Sequence, residues 1–529
     1  MRTFVLLAAL MGLATAPTAT AATIQVTTLD TEQNTDGDCS LREAMLAAQL
    51  DQSFDACAAG SGADTIEITV PGTIRLDVGF RFTTDVTLRG VSSEATVLTG
   101  SVTGHLLEVQ GATVRFERLA VDGSTGSPIT DGGFLLFGGA EVTFEDVVIR
   151  DVASPGNGGA IRASDAASVT LLRSRLLSNR SGDDGGGLYA INSNVTLRDS
   201  EIRDNEATGQ GGGLYFTNPG FSLTVERSAV VGNEADAGGG LYLNSGTADV
   251  RVSTLADNEA TGSGGGLIVN AATVDLHSVT VTGNVADADA DGTGDGGGIQ
   301  AFSGITLASS VVAENEDRGG DRAPDIAAGG TWTTQGFNAI GDGRGAGSSF
   351  PAGTPNANGD RVGTEAAPLA VGLGALGDNG GPTPTRLPMA GSLLIDGGDC
   401  GSSTTDQRGA ARPVDGDASG GAACDIGAVE AGATVGTSSE GGPLANAALV
   451  RFAGPNPTRG PLAVEAVVSA PLRVSLVDAL GREVWVLHDG PVQAGQRVAA
   501  DAGRLAPGVY ALVAQAEGRA QVRRLTLVP

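Results

Sequence analysis

The side chains able to do chemistry are few in kind. There are three His and four Cys, and all 32 basic residues are Arg. The densest group of potential ligands is Asp287-Ala-Asp289-Ala-Asp291-Gly292-Thr-Gly-Asp295. Spaced carboxylates on a glycine turn supply the hard oxygens that Ca²⁺ takes. The first six residues follow the Asp-x-Asp-x-Asp-Gly order of an EF-hand loop. The bidentate Glu of such a loop is replaced by Gly298, and the flanking sequence is not helical. Asp287, Asp289, Asp291 and Asp295 are thus candidate Ca²⁺ ligands, and Ca²⁺ is the one cofactor this pattern offers. The plainer reading is a solvated acidic loop.

Other groups resolve toward structure. Arg173, Arg198, Arg227 and Arg251 recur near strand ends, where a catalytic Arg would be singular. His277 lies in a strand run with nothing nearby to mark it as a base. Arg42 and Glu43 fit a helix cap and a surface ion pair better than a catalytic pair. Asp378, Asp396, Asp406, Arg408, Arg412 and Asp425 read as a polar network that closes a cap. No residue is assigned a catalytic role.

The elements that must position these residues are repeats. Between Gly158 and Ala301 one phrase recurs: an Asn, a few small polar residues, three glycines and an aliphatic. Its Asn residues are Asn179, Asn205, Asn233, Asn258 and Asn284, in steps of 26, 28, 25 and 26 residues, and Asn315 supplies a last copy. A Ser precedes each by five residues (Ser174, Ser200, Ser228, Ser253), with a slip of one at Ser278. A fixed period means a solenoid, propeller or array. Short runs such as Val195-Thr-Leu197 and Val274-Asp-Leu276 alternate as strands do. A propeller blade needs roughly 40 residues, so a shorter unit is one turn of a parallel β-helix. Stacking places Asn over Asn as a side-chain ladder, and the glycines allow φ > 0 and close backbone approach at a corner. The expected fold is all-β: a right-handed parallel β-helix over residues 66–340, on the order of ten coils and about 50 Å long at the usual strand spacing, followed by a small β-sandwich.

Composition agrees with a narrow core of small aliphatics: Gly numbers 82 and aromatics are 4%. The net charge of −29 argues against nucleic acid and anionic membrane as partners. Residues 1–21 read as a signal peptide, with Phe4–Leu13 as its apolar core and Ala19-Thr20-Ala21 as its cleavage site. That core is too short to span a membrane, and no later stretch is a transmembrane segment. Four Cys suit an exported protein with two disulfides. They allow three connectivities, of which the local pairs Cys39 with Cys57 and Cys400 with Cys424 are favoured, one in each expected cap.

Residues 22–65 form the expected N-terminal cap. Ser40 and Glu43 make a capping box for a helix in Cys39-Ser-Leu-Arg-Glu-Ala44 and beyond. That hexapeptide, followed by Asp64-Thr-Ile-Glu-Ile68, resembles the CSLREA motif of bacterial exported proteins, where it precedes a parallel β-helix. The repeats are similar to those of polymorphic outer membrane proteins, which are surface adhesins. Similar coils occur in pectate-lyase-like enzymes, so the alternative reading is a polysaccharide lyase or glycoside hydrolase acting on extracellular acidic polysaccharide.

Residues 341–430 turn Pro-rich and lose the repeat. Leu376-Gly-Asp-Asn-Gly-Gly-Pro-Thr383, Thr405-Asp-Gln-Arg-Gly409 and Cys424-Asp-Ile-Gly-Ala-Val-Glu430 resemble the choice-of-anchor Q region that closes such exported β-helices, read here as a C-terminal cap. Residues 431–446 are a Gly/Ser/Thr linker. In 447–529, Pro455-Asn-Pro-Thr-Arg-Gly460, Asp478-Ala-Leu-Gly-Arg-Glu-Val484 and Leu505-Ala-Pro-Gly-Val-Tyr510 resemble the C-terminal sorting domain of the type IX secretion system. That resemblance implies the type IX machinery as a partner and removal of the domain after export. It also implies a passenger released or fixed at the cell surface, and the likeness of the repeats to surface adhesins makes it adhesin-like, with surface glycans or a neighbouring or host cell surface as the expected contact.

Overall fold

One coil describes most of the molecule. From Leu188, the chain lays Leu188–Ile191 and Asn194–Arg198 in a first sheet, Glu201–Arg203 in a second and Glu206–Ala207 in a third. Strand alternation sends Leu188, Ala190, Val195, Leu197, Ile202 and Ala207 to the interior, where all are buried. The next coil repeats this one register below: Leu188 pairs with Leu214, then Leu241, Leu267 and Ile299. The computed structural model describes residues 21–100, 104–124, 132–319 and 323–435. Beyond these it describes 450–452, 461–466, 471–477, 483–493, 496–501, 505, 508–516 and 519–527. The signal segment, most of the linker and the Pro455–Gly460 motif lie outside the described residues. The three sheets hold 20, 12 and 7 strands, all parallel, over about nine turns.

Two sharp corners make the coil turn. After the first sheet, Arg118, Asp146, Arg173, Asp199 and Arg227 all have φ between 46° and 54°. After the second, Asp151, Asp204 and Asp257 do the same, at 55°, 56° and 56°. A left-handed residue reverses the pleat, so the next side chain points inward. That next residue is the recurring Ser after Arg173, Asp199 and Arg227 and the recurring Asn after Asp204 and Asp257; in the earlier coils it is Leu119, Val147 and Val152, all buried. The three glycines have distinct reasons. Gly211 has φ +68°; a Cβ on Gly212 would sit 2.3 Å from Glu234 O; one on Gly213 would sit 2.6 Å from Gly240 O and 3.1 Å from Asn233 Nδ2.

The parallel ladder runs past both ends of residues 66–340. Thr23–Val26 already pairs with Thr65–Ile68, so the cap segment supplies the first strand. The helix Leu41–Leu50 covers that end, with Ser40 and Glu43 in a reciprocal capping box. The Cys39–Cys57 disulfide ties it down. At the other end Arg361–Val362 pairs with Ala339–Ile340, and Phe350 packs edge-on against Trp332.

Residues 369–430 do not close that end. They fold back along the outward face of the second sheet. Leu394 and Ile426 pack with Val311, Ala313 and Ala339, and Leu376 reaches Ala229, Val231 and Ala256. This segment is held by Cys400–Cys424 and by a buried network. Asp406 accepts from Arg408, Glu430 accepts from Arg412, and Asp425 accepts the Asp396 N–H. Asp378 stands apart and exposed, bonding only the Gly380 N–H.

The chain divides after Gly436. The second unit holds antiparallel sheets of three and four strands. They share one core of Val464, Ala466, Leu472, Val474, Leu476, Val498, Leu512 and Ala514. That is a small sandwich, with Trp485 and Tyr510 half-buried against it.

The Asn column gives a direct test. Asn233→Ala orphans two donors of Asn205 and the carbonyl of Ile202, and each buried orphan costs about 1–3 kcal/mol. Urea unfolding should show a loss of about 3 kcal/mol or more, and Gly213→Ala should be at least as damaging. A loss under about 1 kcal/mol in both would contradict the packing described.

Candidate functional site

The Asn residues form a buried column in which every amide is fully used. Asn205 donates its N–H and its Nδ2 to Asn233 Oδ1, at 3.0 and 2.9 Å, and its second Nδ2 proton to Leu176 O at 3.0 Å. The pattern repeats at Asn179, Asn233, Asn258, Asn284 and Asn315. All the amides point one way, nitrogen toward the C-terminal coils. At that end the acceptor is the buried carboxylate of Asp325, which receives the Asn315 N–H and Nδ2 on one oxygen and the Asp342 N–H on the other. Burial pushes Asp325 up to about 6 against the lowering effect of these bonds. A parallel serine column takes each backbone N–H onto the next Oγ, from Ser174 through Ser200 and Ser228 to Ser253. Val279 then stands in the column, its N–H going to Ser310, while Ser278 turns to His277. This column passes through Asn338 and ends on buried Asp360. Asn338 and both terminal Asp residues went unmarked in the sequence, although Asn338 follows Ser310 at a coil's interval.

The recurring arginines fall in two columns. Arg118, Asp146, Arg173, Asp199 and Arg227 occupy successive first-corner positions, so sign alternates coil by coil. Arg173 pairs with Asp146 at 2.9 Å and Arg227 with Asp199 at 2.8 Å. Arg198 and Arg251 belong to the neighbouring column; Arg198 pairs with Glu226 and Arg251 with Asp249. Arg89 and Arg115 both hold Glu117. Burial would raise that carboxyl, but the two guanidiniums win and lower it. Arg42 pairs with Asp77 rather than Glu43. Each residue of Cys39–Ala44 thus has a structural task.

On the first sheet Tyr189, Tyr215 and Tyr242 stack outward at centroid spacings of 5.2 and 5.4 Å. Their faces meet each other, so ring edges and hydroxyls look out. Asn244 Nδ2 lies 3.3 Å from Tyr215 Oη and 3.2 Å from Thr217 Oγ1, and Asn270 donates to Asn244. Burial pushes the Tyr215 phenol to about 12, so it stays a neutral donor.

The acidic loop brings Asp287, Asp289 and Asp291 together, with carboxylate oxygens within 4.8 Å of one another, and leaves Asp295 out. Asp287 is buried, and its two oxygens already take the N–H groups of Asp291 and Gly292. Asp289 and Asp291 face solvent. Asp396, Asp415 and Asp417 form a second such group. His277 lies under Gly401, its pKa lowered by burial and then by Arg251 and Arg412.

Residues 101–310 match a protein family described as right handed beta helix region. The fold is a right-handed parallel β-helix. No curated protein matches the chain, and no solved structure matches it. Among the described residues no helix of this β-helix is long and apolar enough to cross a membrane. Both disulfides are the local ones.

Asp325 gives the β-helix a signed pH dependence. Its folded pKa of about 6 lies above the ordinary 3.8. The folded state therefore binds the extra proton between those values, and stability falls as pH rises through that window. At 1.36 kcal/mol per unit the difference is about 2–3 kcal/mol. Against Asp325→Asn, whose ladder carries no titrating group, wild type should gain about that much between pH 7 and pH 4 in parallel urea titrations. A pH-independent difference would refute this.

Proposed function

We propose that this β-helix is an exported cell-surface or secreted protein with a structural or adhesive role, delivered by the type IX secretion system through residues 447–529. The observation that carries the reading is the uniformity of the outward columns. Charges alternate and cancel along the corner, and tyrosine, asparagine and threonine side chains recur in register on the first sheet. A repeating face suits a repeating partner such as a surface glycan, bound by many weak contacts. At the corner Arg173 and Arg227 are each held by two carboxylates, which suits a rod stitched coil to coil. The carboxylates of Asp287, Asp289 and Asp291, with Asp295 nearby in the chain, enter this reading as a weak Ca²⁺ contact.

Three measurements test it. Mass spectrometry of the protein recovered from its native cells should find a mature chain that begins near Ala22, ends before residue 447 and sits outside the cell. An intact C-terminus inside the cell would overturn the export route. Purified mature protein should bind cells or extracted surface glycan and leave pectin and alginate uncut. Depolymerisation of either would establish the enzymatic alternative instead. Titration with Ca²⁺ should give heat only in the millimolar range, lost in Asp289→Asn with Asp291→Asn; heat retained by that variant places any ion elsewhere.

A further inference from the structure

Among the described residues of the first unit, the segment 369–430 breaks the coil-by-coil logic. In a solenoid each repeat touches only its neighbours, so stability is a sum of nearest-neighbour terms and a pulled end peels turn by turn. Here one segment touches coil after coil. Thr383 Oγ1 donates to Arg227 O. Thr254 Oγ1 donates to Gln407 Oε1 at 2.6 Å, and Gln407 Nε2 donates to Thr383 at 2.9 Å. Arg386 pairs with Asp257. Ala428 N–H donates to Thr280 Oγ1 at 3.0 Å, and Asp399 N–H to Ser309 Oγ at 2.8 Å. Apart from the Gln407–Thr383 bond inside the segment, these bonds join residues 90 to 156 positions apart.

The sheet beneath is prepared for it. In earlier coils one outward column carries Arg150, Leu177 and Arg203, all half-exposed. From Ala229 onward it holds Val231, Ala256, Thr282 and Ala313, all buried. Gly427 has φ +102°, and a Cβ there would sit 2.7 Å from Thr280 Oγ1 and 3.0 Å from Val311. Backbone and sheet are therefore in direct contact.

We propose that residues 369–430 are a load-bearing clamp. Gly427 and Ala428 are bonded to Ser309 and Thr280, and the chain then leaves through Ala431 beside Gly416 and Val435 beside Gly380, on the clamp and not from the last coil. Tension applied from the C-terminal side enters the clamp first. The Cys400–Cys424 bond carries it across the loop between them, and the contacts at Arg227, Thr254, Asp257, Thr280 and Ser309 share it in parallel. Residues from about 227 to 435 then yield as one block, while the N-terminal coils yield singly. The use of such a clamp rests on the cell-surface placement proposed above; its mechanics do not.

Single-molecule force spectroscopy on the full chain, held at its two ends, separates the cases. At about 3.4 Å per extended residue, one 26-residue coil releases roughly 9 nm. The clamped block spans 435 − 227 = 208 residues, of which the disulfide withholds 24, so it releases roughly 60 nm in one step. Wild type should show small steps and then this single large one at higher force. Gln407→Ala with Arg386→Ala, and separately Cys400→Ser with Cys424→Ser, should replace the large step by a series near 9 nm. Wild type peeling in 9 nm steps throughout would overturn the clamp, as would either folded variant keeping the large step unchanged. Unfolding of the sandwich adds its own step in every variant and so cancels from the comparison.

Discussion

The constraint on which the rest depends is that a side-chain amide buried at a corner must satisfy all of its donors and acceptors there. Within the column one Nδ2 proton and the Oδ1 lone pairs of each Asn are met by the Asn one coil on and the Asn one coil back, and the second Nδ2 proton by a backbone carbonyl. An unpaired buried amide costs more than a single hydrogen bond contributes, so the amide column and the coil register are mutually enforcing. The glycines follow from it. Gly213 and Gly240 face Asn233 and Asn258 with room for no more than a hydrogen. The left-handed residue before each Asn turns it inward. A polar core of this kind tolerates no slip, because a shift of one residue would put every aliphatic on the outside. The columns must also end, and both end on a carboxylate, Asp325 and Asp360, which can take donors without offering any.

Much of this could be read before the coordinates. The spacing of Asn179 to Asn284 and the alternation of Val195-Thr-Leu197 state period, strand and corner together, because repetition tests each local inference against the next coil. The slip at Ser278 was visible too, though its consequence was not: Val279 takes the column position and the serine is freed. The ends of the ladder were misplaced because capping strands such as Thr23–Val26 and Arg361–Val362 carry the pairing without the repeat. The four recurring arginines fall in two columns, and spacing cannot tell which of two adjacent columns a residue enters.

The fold-back of residues 369–430 was the least legible feature, since its partners lie far away in sequence. The sign of it was nonetheless in the strands it covers. An outward position holding Arg150, Leu177 and Arg203 and then Val231, Ala256 and Thr282 reports that something other than water now faces it. In the acidic loop, four Asp in a row of seemingly equal ligands sorted into one buried residue bonded to its own loop, two exposed ones and one outside the group. Spacing showed their number, and only the turn could show their direction.

Hydrogen exchange of the asparagine side-chain amides probes the buried column most directly. In the ¹⁵N-labelled protein the Nδ2 protons of Asn205, Asn233 and Asn258 should exchange as slowly as the backbone amides of Leu214 and Leu241 in the adjoining coils. Exchange at the rate of a free, solvated carboxamide would contradict the account, however regular the strands around it.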